Sequence, residues 1–417
     1  MFKLNFLKKK VNFKRLKYTI DKSSEIGKIP GNGLRRLALS DEDKEMRDLF
    51  KYWMKDSGLA VRVDDFGNMY GRREGDTNQS PIVVGSHLDT QPSGGRFDGI
   101  LGVLIALEAV RTLNDYGIET TRPIEIVNFT NEEGARFEPP MMASGGLAGT
   151  FSRDFIYTRT DREGKSYGDE LTRIGYDGKQ ENRLKDFFAF IELHIEQGPV
   201  LEKENISIGA VEGIQGTNWL EVTVTGESDH AGPTPMDMRK DALTAASKMV
   251  SMIENKAKKY GVSATVGRFS VSPDVVNCVP GEVVFSLDLR HLDNDIRITA
   301  LNEMKKEIEV IAANRDVSVN IKNLWDSETA VFNNVIVNMI SETSNQYGYS
   351  VKRIPSGAGH DAKYMNDMGP TAMVFLPSVN GKSHDVSELT LDKDIEQGAD
   401  VVFGVIQKLA NYDKELG

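Results

Sequence analysis

Apolar residues recur at Met46, Leu49, Phe50 and Trp53, behind Ser40 as a helix cap and an acidic first turn, until Gly58 stops the pattern. That spacing predicts a helix over 40–56. Further on, short apolar runs alternate with helical periods. Residues 59–63, 67–71 and 81–85 read as strands, and 99–113 as a helix with Ile100, Val103, Leu104, Leu107 and Val110 on its apolar positions. Residues 124–129 and 187–193 read as buried strands. Runs of this kind separated by helices predict an α/β fold with a helix-covered, mixed but largely parallel sheet.

Around Ile208 the texture changes. Strands are predicted at 207–211 and 219–225, the second alternating Leu220, Val222 and Val224. A helix over 239–260, strands at 264–271 and 282–289, a helix over 296–313 and a strand at 317–321 follow. This ββαββαβ order fits a smaller α/β sandwich inserted in the larger domain. After Trp325 the first texture returns, with a helix over 332–347, a strand near Val351, a helix after His360, a buried strand at 371–376 and a last helix to about Asn411. The expected boundaries are 1–210 plus 327–417 for the larger domain and 211–326 for the insert.

Composition agrees with two domains, because 417 residues exceed the roughly 250–300 at which a single core usually stops growing. The one cysteine, Cys278, excludes an internal disulfide framework and a cysteine-based zinc cluster, and fits a reducing, cytoplasmic setting. A net charge of -11 argues against a nucleic-acid binder, whose footprint is basic. No apolar run reaches the roughly 18 residues of a membrane helix, so no membrane partner is expected. Lys3, Lys8, Lys9, Lys10, Lys14, Arg15 and Lys17 surround no apolar targeting core, and read as a solvated basic end leading into the first helix.

Four of the 6 histidines stand where chemistry is expected. His87 follows the strand over 82–84, His194 ends the strand over 187–193, His384 follows 371–376 by a loop, and His360 opens a helix. Glu132 and Glu133 come just after 124–129, and Asp98 just before the helix at Gly99. In open α/β sheets ligands bind beyond the carboxyl ends of strands, so these positions can converge. Two metals sharing one bridging carboxylate need about two terminal ligands each, and imidazoles with carboxylates suit zinc or manganese. His87, His194, His384, Asp98 and Glu133 match that count. Glu132 is then left over as a general base, and Asp89 is placed to receive the second ring N–H of His87. Taken singly, each has a plainer account: Asp98 as a helix cap, the two glutamates as a solvated pair, Asp89 as an Asx-turn residue.

Seven blocks carry a likeness to a known family. They are Gly85-Ser-His-Leu-Asp-Thr-Gln-Pro-Ser-Gly-Gly-Arg-Phe-Asp-Gly99, Asn131-Glu-Glu-Gly-Ala-Arg-Phe137, His194-Ile-Glu-Gln-Gly-Pro-Val-Leu-Glu202, His230-Ala-Gly-Pro-Thr-Pro235, Asp288-Leu-Arg290, Ser356-Gly-Ala-Gly-His-Asp-Ala362 and Ser383-His384. Together they span nearly the whole chain, which resembles the amidase branch of the dimetal aminoacylase/carboxypeptidase superfamily. The likeness is greatest to N-carbamoyl-L-amino-acid hydrolases, with allantoate amidohydrolases and β-ureidopropionases as near relatives.

The resemblance implies two divalent metal ions per subunit, zinc or manganese, with cobalt or nickel as further options. His87, Asp98 and His194 would hold one; Asp98, Glu133 and His384 the other. Glu132 is then the general base. A histidine at 194, where peptidases of the superfamily usually place a carboxylate, disfavours a peptidase or aminoacylase, and retention of Glu132 with every ligand speaks against a silent binding protein. By the same resemblance Gln197 contacts the ureido group, His230 and Asn277 polarise or hold the substrate carbonyl, Gly359 lines the substrate pocket and Arg290 pairs with the substrate carboxylate. His360 and Asp361 would shape the pocket. The plainer accounts are an ion pair of Arg290 with Asp288 or Asp293 and a turn role for His230. The expected reaction is hydrolysis of a small-molecule ureido substrate, an N-carbamoyl-L-amino acid, with allantoate as the alternative. The inserted domain would serve as lid and as the homodimer contact.

Overall fold

The structure is a computed structural model that describes residues 9–416. The chain forms two compact units. One combines the residues up to Glu212 with those from Phe332 onward, and the other is Gly213–Val331.

The first unit is built on a mixed sheet. Its strands run in the order Ala60–Val63, Met69–Arg73, Ile124–Phe129, Ile82–His87, Ala189–Ile195, Thr371–Leu376 and Ile208–Ile214, with Val351–Ser356 also pairing on Ile208–Ile214. The four strands from Ile124–Phe129 to Thr371–Leu376 are mutually parallel, whereas the flanking pairs are antiparallel. Every residue of these four strands is buried, which is why they read as unbroken apolar runs rather than alternating ones. Their parallel order sends the carboxyl ends to one edge, where the loops after His87, Phe129, Ile195 and Leu376 meet.

The helix Ile100–Asp115 lies against Ile82–His87 and Ala189–Ile195, and is buried on nearly all sides. Two more helices explain this, since Phe13–Ser23 and Asp392–Ala410 both pack on it. The first corrects the expectation of a solvated basic end. Leu16 and Ile20 are fully buried, Arg15 reaches the buried Glu108 with its Nε and Nη2 at 2.8 and 2.7 Å, and Lys10 lies 3.2 Å from Asp400. The basic residues point outward or pair, while the apolar ones between them dock. Lys3 and Lys8 lie outside the described residues.

In the second unit a five-stranded antiparallel sheet is covered by the helices Ala242–Tyr260 and Asn294–Asn314. Its core is Leu220, Val222 and Val224 with Phe285, Leu287, Met249 and Met304. The ends of the unit follow from pairing of Ala330–Val331 on Ile214 and Gly213. The single strand expected at 264–271 is two, Ser263–Thr265 and Phe269–Ser272, both paired on Glu282–His291. Thr265 faces Asp288 and Phe269 faces Phe285, so four steps on one side meet three on the other. One residue is extra there, and the ladder breaks around Gly267 as in a β-bulge.

One buried charge pair locks the helix Asp41–Asp56 to the first sheet. Arg47 donates through Nε to Asp43 at 2.8 Å, through Nη1 to the carbonyl of Gly67 at 2.7 Å and through Nη2 to Thr130 at 3.1 Å, with both charged groups buried. Removing one partner leaves the other charge uncompensated. Arg47→Ala should therefore lower unfolding free energy by about 3–5 kcal/mol, read as a fall in the urea midpoint, and the double change Asp43→Asn with Arg47→Met should cost less than the single one.

Candidate metal centre

His87 is the last residue of its strand and His194 the last but one of Ala189–Ile195, so both rings arrive at the carboxyl edge on rigid backbone. Both are about 1% exposed. His87 Nδ1 lies 3.0 Å from the backbone carbonyl of Asp89, and His194 Nδ1 lies 2.9 Å from that of Ile195. A carbonyl can only accept, so in each ring Nδ1 carries the hydrogen and Nε2 is turned to the site. His87 Nε2 is buried without a hydrogen-bond partner.

Asp98 stands between the histidines. Its Oδ1 is 3.0 Å from His194 Nε2 and 3.6 Å from His87 Nε2, while Oδ2 is 3.4 Å from His384 Nε2. Glu133 Oε2 is a further 3.4 Å from that nitrogen. The donor atoms therefore form two groups, His87–Asp98–His194 and Asp98–Glu133–His384, each within 4.8 Å and sharing the aspartate. Asp98 does not cap the following helix; that position is Gly99, at φ 65°, and a Cβ there would lie 2.2 Å from His87 Nε2. Only glycine lets the chain turn so close under the ring.

Glu132 belongs to neither group. It is buried, with Oε2 3.5 Å from His87 Nε2. Burial first, then its neighbours Asp361, Glu133 and Asp98, push its carboxyl well above the usual range despite the opposing pull of His87. Burial and Asp98 likewise raise Glu133 to about 7. For Asp98 burial is outweighed by His194, His384 and His87, which hold it well below the ordinary carboxylate range. His384, hydrogen-bonded to Asp98, rises to about 9. Three carboxyl groups and three imidazoles so packed are all drawn toward their protonated forms except Asp98, so protons stand where positive charge is wanted. The oxygen and nitrogen donors, the orphaned His87 nitrogen and the shared aspartate fit divalent cations.

Asp89 works through different atoms than expected. Its carbonyl meets His87, whereas its carboxylate is 3.8 Å away and accepts the backbone N–H groups of Glu132 and Glu133, both at 3.3 Å. One residue thus orients a ring and the paired glutamates. Gln197, at φ 56°, donates from Nε2 to Asp98 Oδ2 at 2.8 Å and to Ser383 Oγ at 3.1 Å, leaving its Oε1 buried and unpartnered. A cavity of about 200 Å³ is lined by Asp98, Glu132, Glu133, His194, Gln197, Gly359, His360 and His384, among others. His360 packs edge-on against His194 with ring centres 4.4 Å apart, and bonds Ser356 at 3.0 Å. Asp361 receives the Ser144 hydroxyl at 2.5 Å.

His230, Asn277 and Arg290 lie in the second unit. His230 faces Cys278 across a short ladder, and the Asn277 carbonyl accepts Ala231 N–H at 2.9 Å. Arg290, on Glu282–His291, pairs with Asp288 at 2.7 Å. The sequence reading missed Gln91, which donates to Glu133 at 2.6 Å, and Glu388, which holds the backbone of Asp98. Gln91 stands inside the first of the seven blocks, four residues past His87. Glu388 carries no such signal, because its partners are mostly backbone.

A parallel sheet that gathers two histidine–carboxylate groups around one aspartate at its carboxyl edge defines a class, the metal-dependent hydrolases of peptidase-like fold. The model described as Peptidase family M20/M25/M40 matches residues 83–408, and the chain belongs to that family. An N-carbamoyl-L-amino-acid amidohydrolase of Rhizobium meliloti is 42% identical over 409 residues, covering 96% of this chain and 97% of that protein. An allantoate amidohydrolase of Escherichia coli (strain K12) is 35% identical over 392 residues, covering 93% and 95%. A crystal structure described as an amidase of the hydantoinase/carbamoylase family from Burkholderia multivorans superposes with a TM-score of 0.93 at 43% identity, covering 96% and 98%. Among the described residues no helix is long and apolar enough to cross a membrane.

Cation binding must displace protons here. With Glu133 near 7 and His384 near 9, the first is partly and the second largely protonated at neutral pH until a cation replaces the proton. Apparent affinity for manganese or zinc should rise as pH goes from about 6 to 9 and fall on acidification. Calorimetric titration in two buffers of different ionisation enthalpy should show net proton release at pH 7, and no buffer dependence would contradict these protonation states.

Proposed function

We propose that the chain hydrolyses the carbamoyl C–N bond of an N-carbamoyl-L-amino acid, with water, to the amino acid, ammonia and carbon dioxide. The observation that carries this reading is the division of Asp98 between two donor groups with Glu132 beside them, in a chain whose relatives include several N-carbamoyl-L-amino-acid amidohydrolases.

His87, Asp98 and His194 would hold one divalent cation and Asp98, Glu133 and His384 a second, zinc or manganese by donor type. The chemistry such cations supply is Lewis acidity, which polarises the carbonyl and makes water easier to deprotonate. Glu132, a buried carboxyl whose neighbours raise its proton affinity, takes a proton from the attacking water and delivers it to the leaving nitrogen. Gln197 offers its unpartnered Oε1 to a ureido N–H at the cavity wall. Gly359 lines that wall beside Met141, whose methyl carbon would lie 2.9 Å from a Cβ there. Family likeness assigns Arg290 to the substrate carboxylate, for which a guanidinium offers a bidentate fork, and His230 and Asn277 to the substrate carbonyl.

Allantoate is the second reading, favoured by the Escherichia coli relative. It needs the same donors and base, and differs in what the rest of the substrate touches. We also propose a homodimer joined through the second unit, and a cytoplasmic setting consistent with the single cysteine.

Metal-stripped protein reconstituted with manganese or zinc should release ammonia from N-carbamoyl-L-amino acids faster than from allantoate, N-carbamoyl-β-alanine or N-acetyl amino acids. Allantoate as the best substrate would select the second reading, and no turnover with two cations bound would reject both. Glu132→Gln should keep cation and substrate binding while kcat falls by about 10²–10⁴-fold. Light scattering coupled to size exclusion should give twice the chain mass.

A further inference from the structure

Glu388 stands four residues past His384 and is 6% exposed. It belongs to neither candidate donor group. Its Oε1 accepts the backbone N–H groups of Phe97 and Asp98, each at 3.1 Å, and its Oε2 lies 3.1 Å from the Ser383 hydroxyl. The two backbone donors are neutral, and the single Ser383 hydroxyl hydrogen is shared between Glu388 and Asp98. Ser383 Oγ is in turn 2.8 Å from Asp98 Oδ2. The carboxylate therefore touches both sides of the candidate centre: the loop that presents Asp98 and the loop that presents His384.

The approach is bought by a missing side chain. A Cβ on Gly95 would lie 2.1 Å from Glu388 Oε1, so the carboxylate occupies space that any other residue would fill. A buried carboxylate near another carboxylate is costly when packing is all that is required. Here its geometry does something an apolar residue cannot, because two successive N–H groups aimed at one oxygen fix the peptide planes on either side of the Phe97 Cα, just before Asp98.

We infer that Glu388 is a positioning residue that clamps the 94–99 loop to the 383–388 loop and so sets the spacing of the Asp98–Glu133–His384 group. This rests on the reading above, in which that group holds a cation. Glu388 stands outside both donor groups and outside the cavity lining. Its contribution is the 3.4 Å separation of Asp98 Oδ2 and His384 Nε2.

The test uses full-length, metal-stripped protein titrated with manganese or zinc against a chelating indicator, for the unaltered chain and for Glu388→Ala, Glu388→Gln and Glu388→Met. The unaltered chain should bind two equivalents. Glu388→Ala should keep one and bind the second about 10–100-fold more weakly, with kcat reduced and KM within about twofold. Glu388→Gln should recover most of that affinity, since its amide oxygen can accept both N–H groups and its NH₂ can donate to Ser383. Two undiminished equivalents in Glu388→Ala, or no recovery in Glu388→Gln, would overturn the clamp. Should Glu388→Ala fail to fold, Glu388→Met, which fills the space but cannot accept the two N–H groups, decides: weakened second-equivalent binding supports the clamp and unchanged binding overturns it. Absence of cation binding by the unaltered chain would sink the functional reading and this inference together, whereas two equivalents indifferent to Glu388 would sink this one alone.

Discussion

Negative charge confined in a dry pocket is the constraint on which the first unit depends. Asp98, Glu132 and Glu133 are drawn together at the carboxyl edge of four parallel strands, where burial penalises each and each penalises the others. The three do not respond alike. Asp98, ringed by His87, His194 and His384, stays ionised, while the glutamates are driven toward their protonated forms. The adjacent pair and the third carboxyl across the site thereby differ in charge through their surroundings alone.

That arrangement needs a frame that does not yield. The rings of His87 and His194 are fixed through backbone carbonyls, and the paired glutamates through the Asp89 carboxylate on their N–H groups. Such holds are insensitive to the sequence of the partner residue where the partner is a peptide group. The frame is thus mostly main chain, with few side chains in its service.

This also explains what could be seen in the sequence. The buried strands announced themselves by unbroken apolar runs, and His87, His194 and Glu132–Glu133 by standing just past them; resemblance then sorted the donors. The helix Phe13–Ser23 was hidden because Leu16 and Ile20 are spaced among lysines whose charge dominates the composition. Asp89 was placed correctly beside His87 but given the wrong atom, since composition shows side chains and the contact is to a carbonyl. Glu388 was invisible for the same reason, its chief partners being two amides nearly three hundred residues earlier. Gly267 alone could have warned that the strand over 264–271 is interrupted.

That interruption has a consequence for the fate of the second unit in a crowded solution. The strands Ser263–Thr265 and Phe269–Ser272 form an outer margin of its sheet, three and four residues long with an offset between them. A foreign chain seeking to extend the sheet there finds no long, regular row of amides and carbonyls to copy. Irregularity on this side acts as a guard against self-propagating association, gained with one extra residue instead of a row of charges.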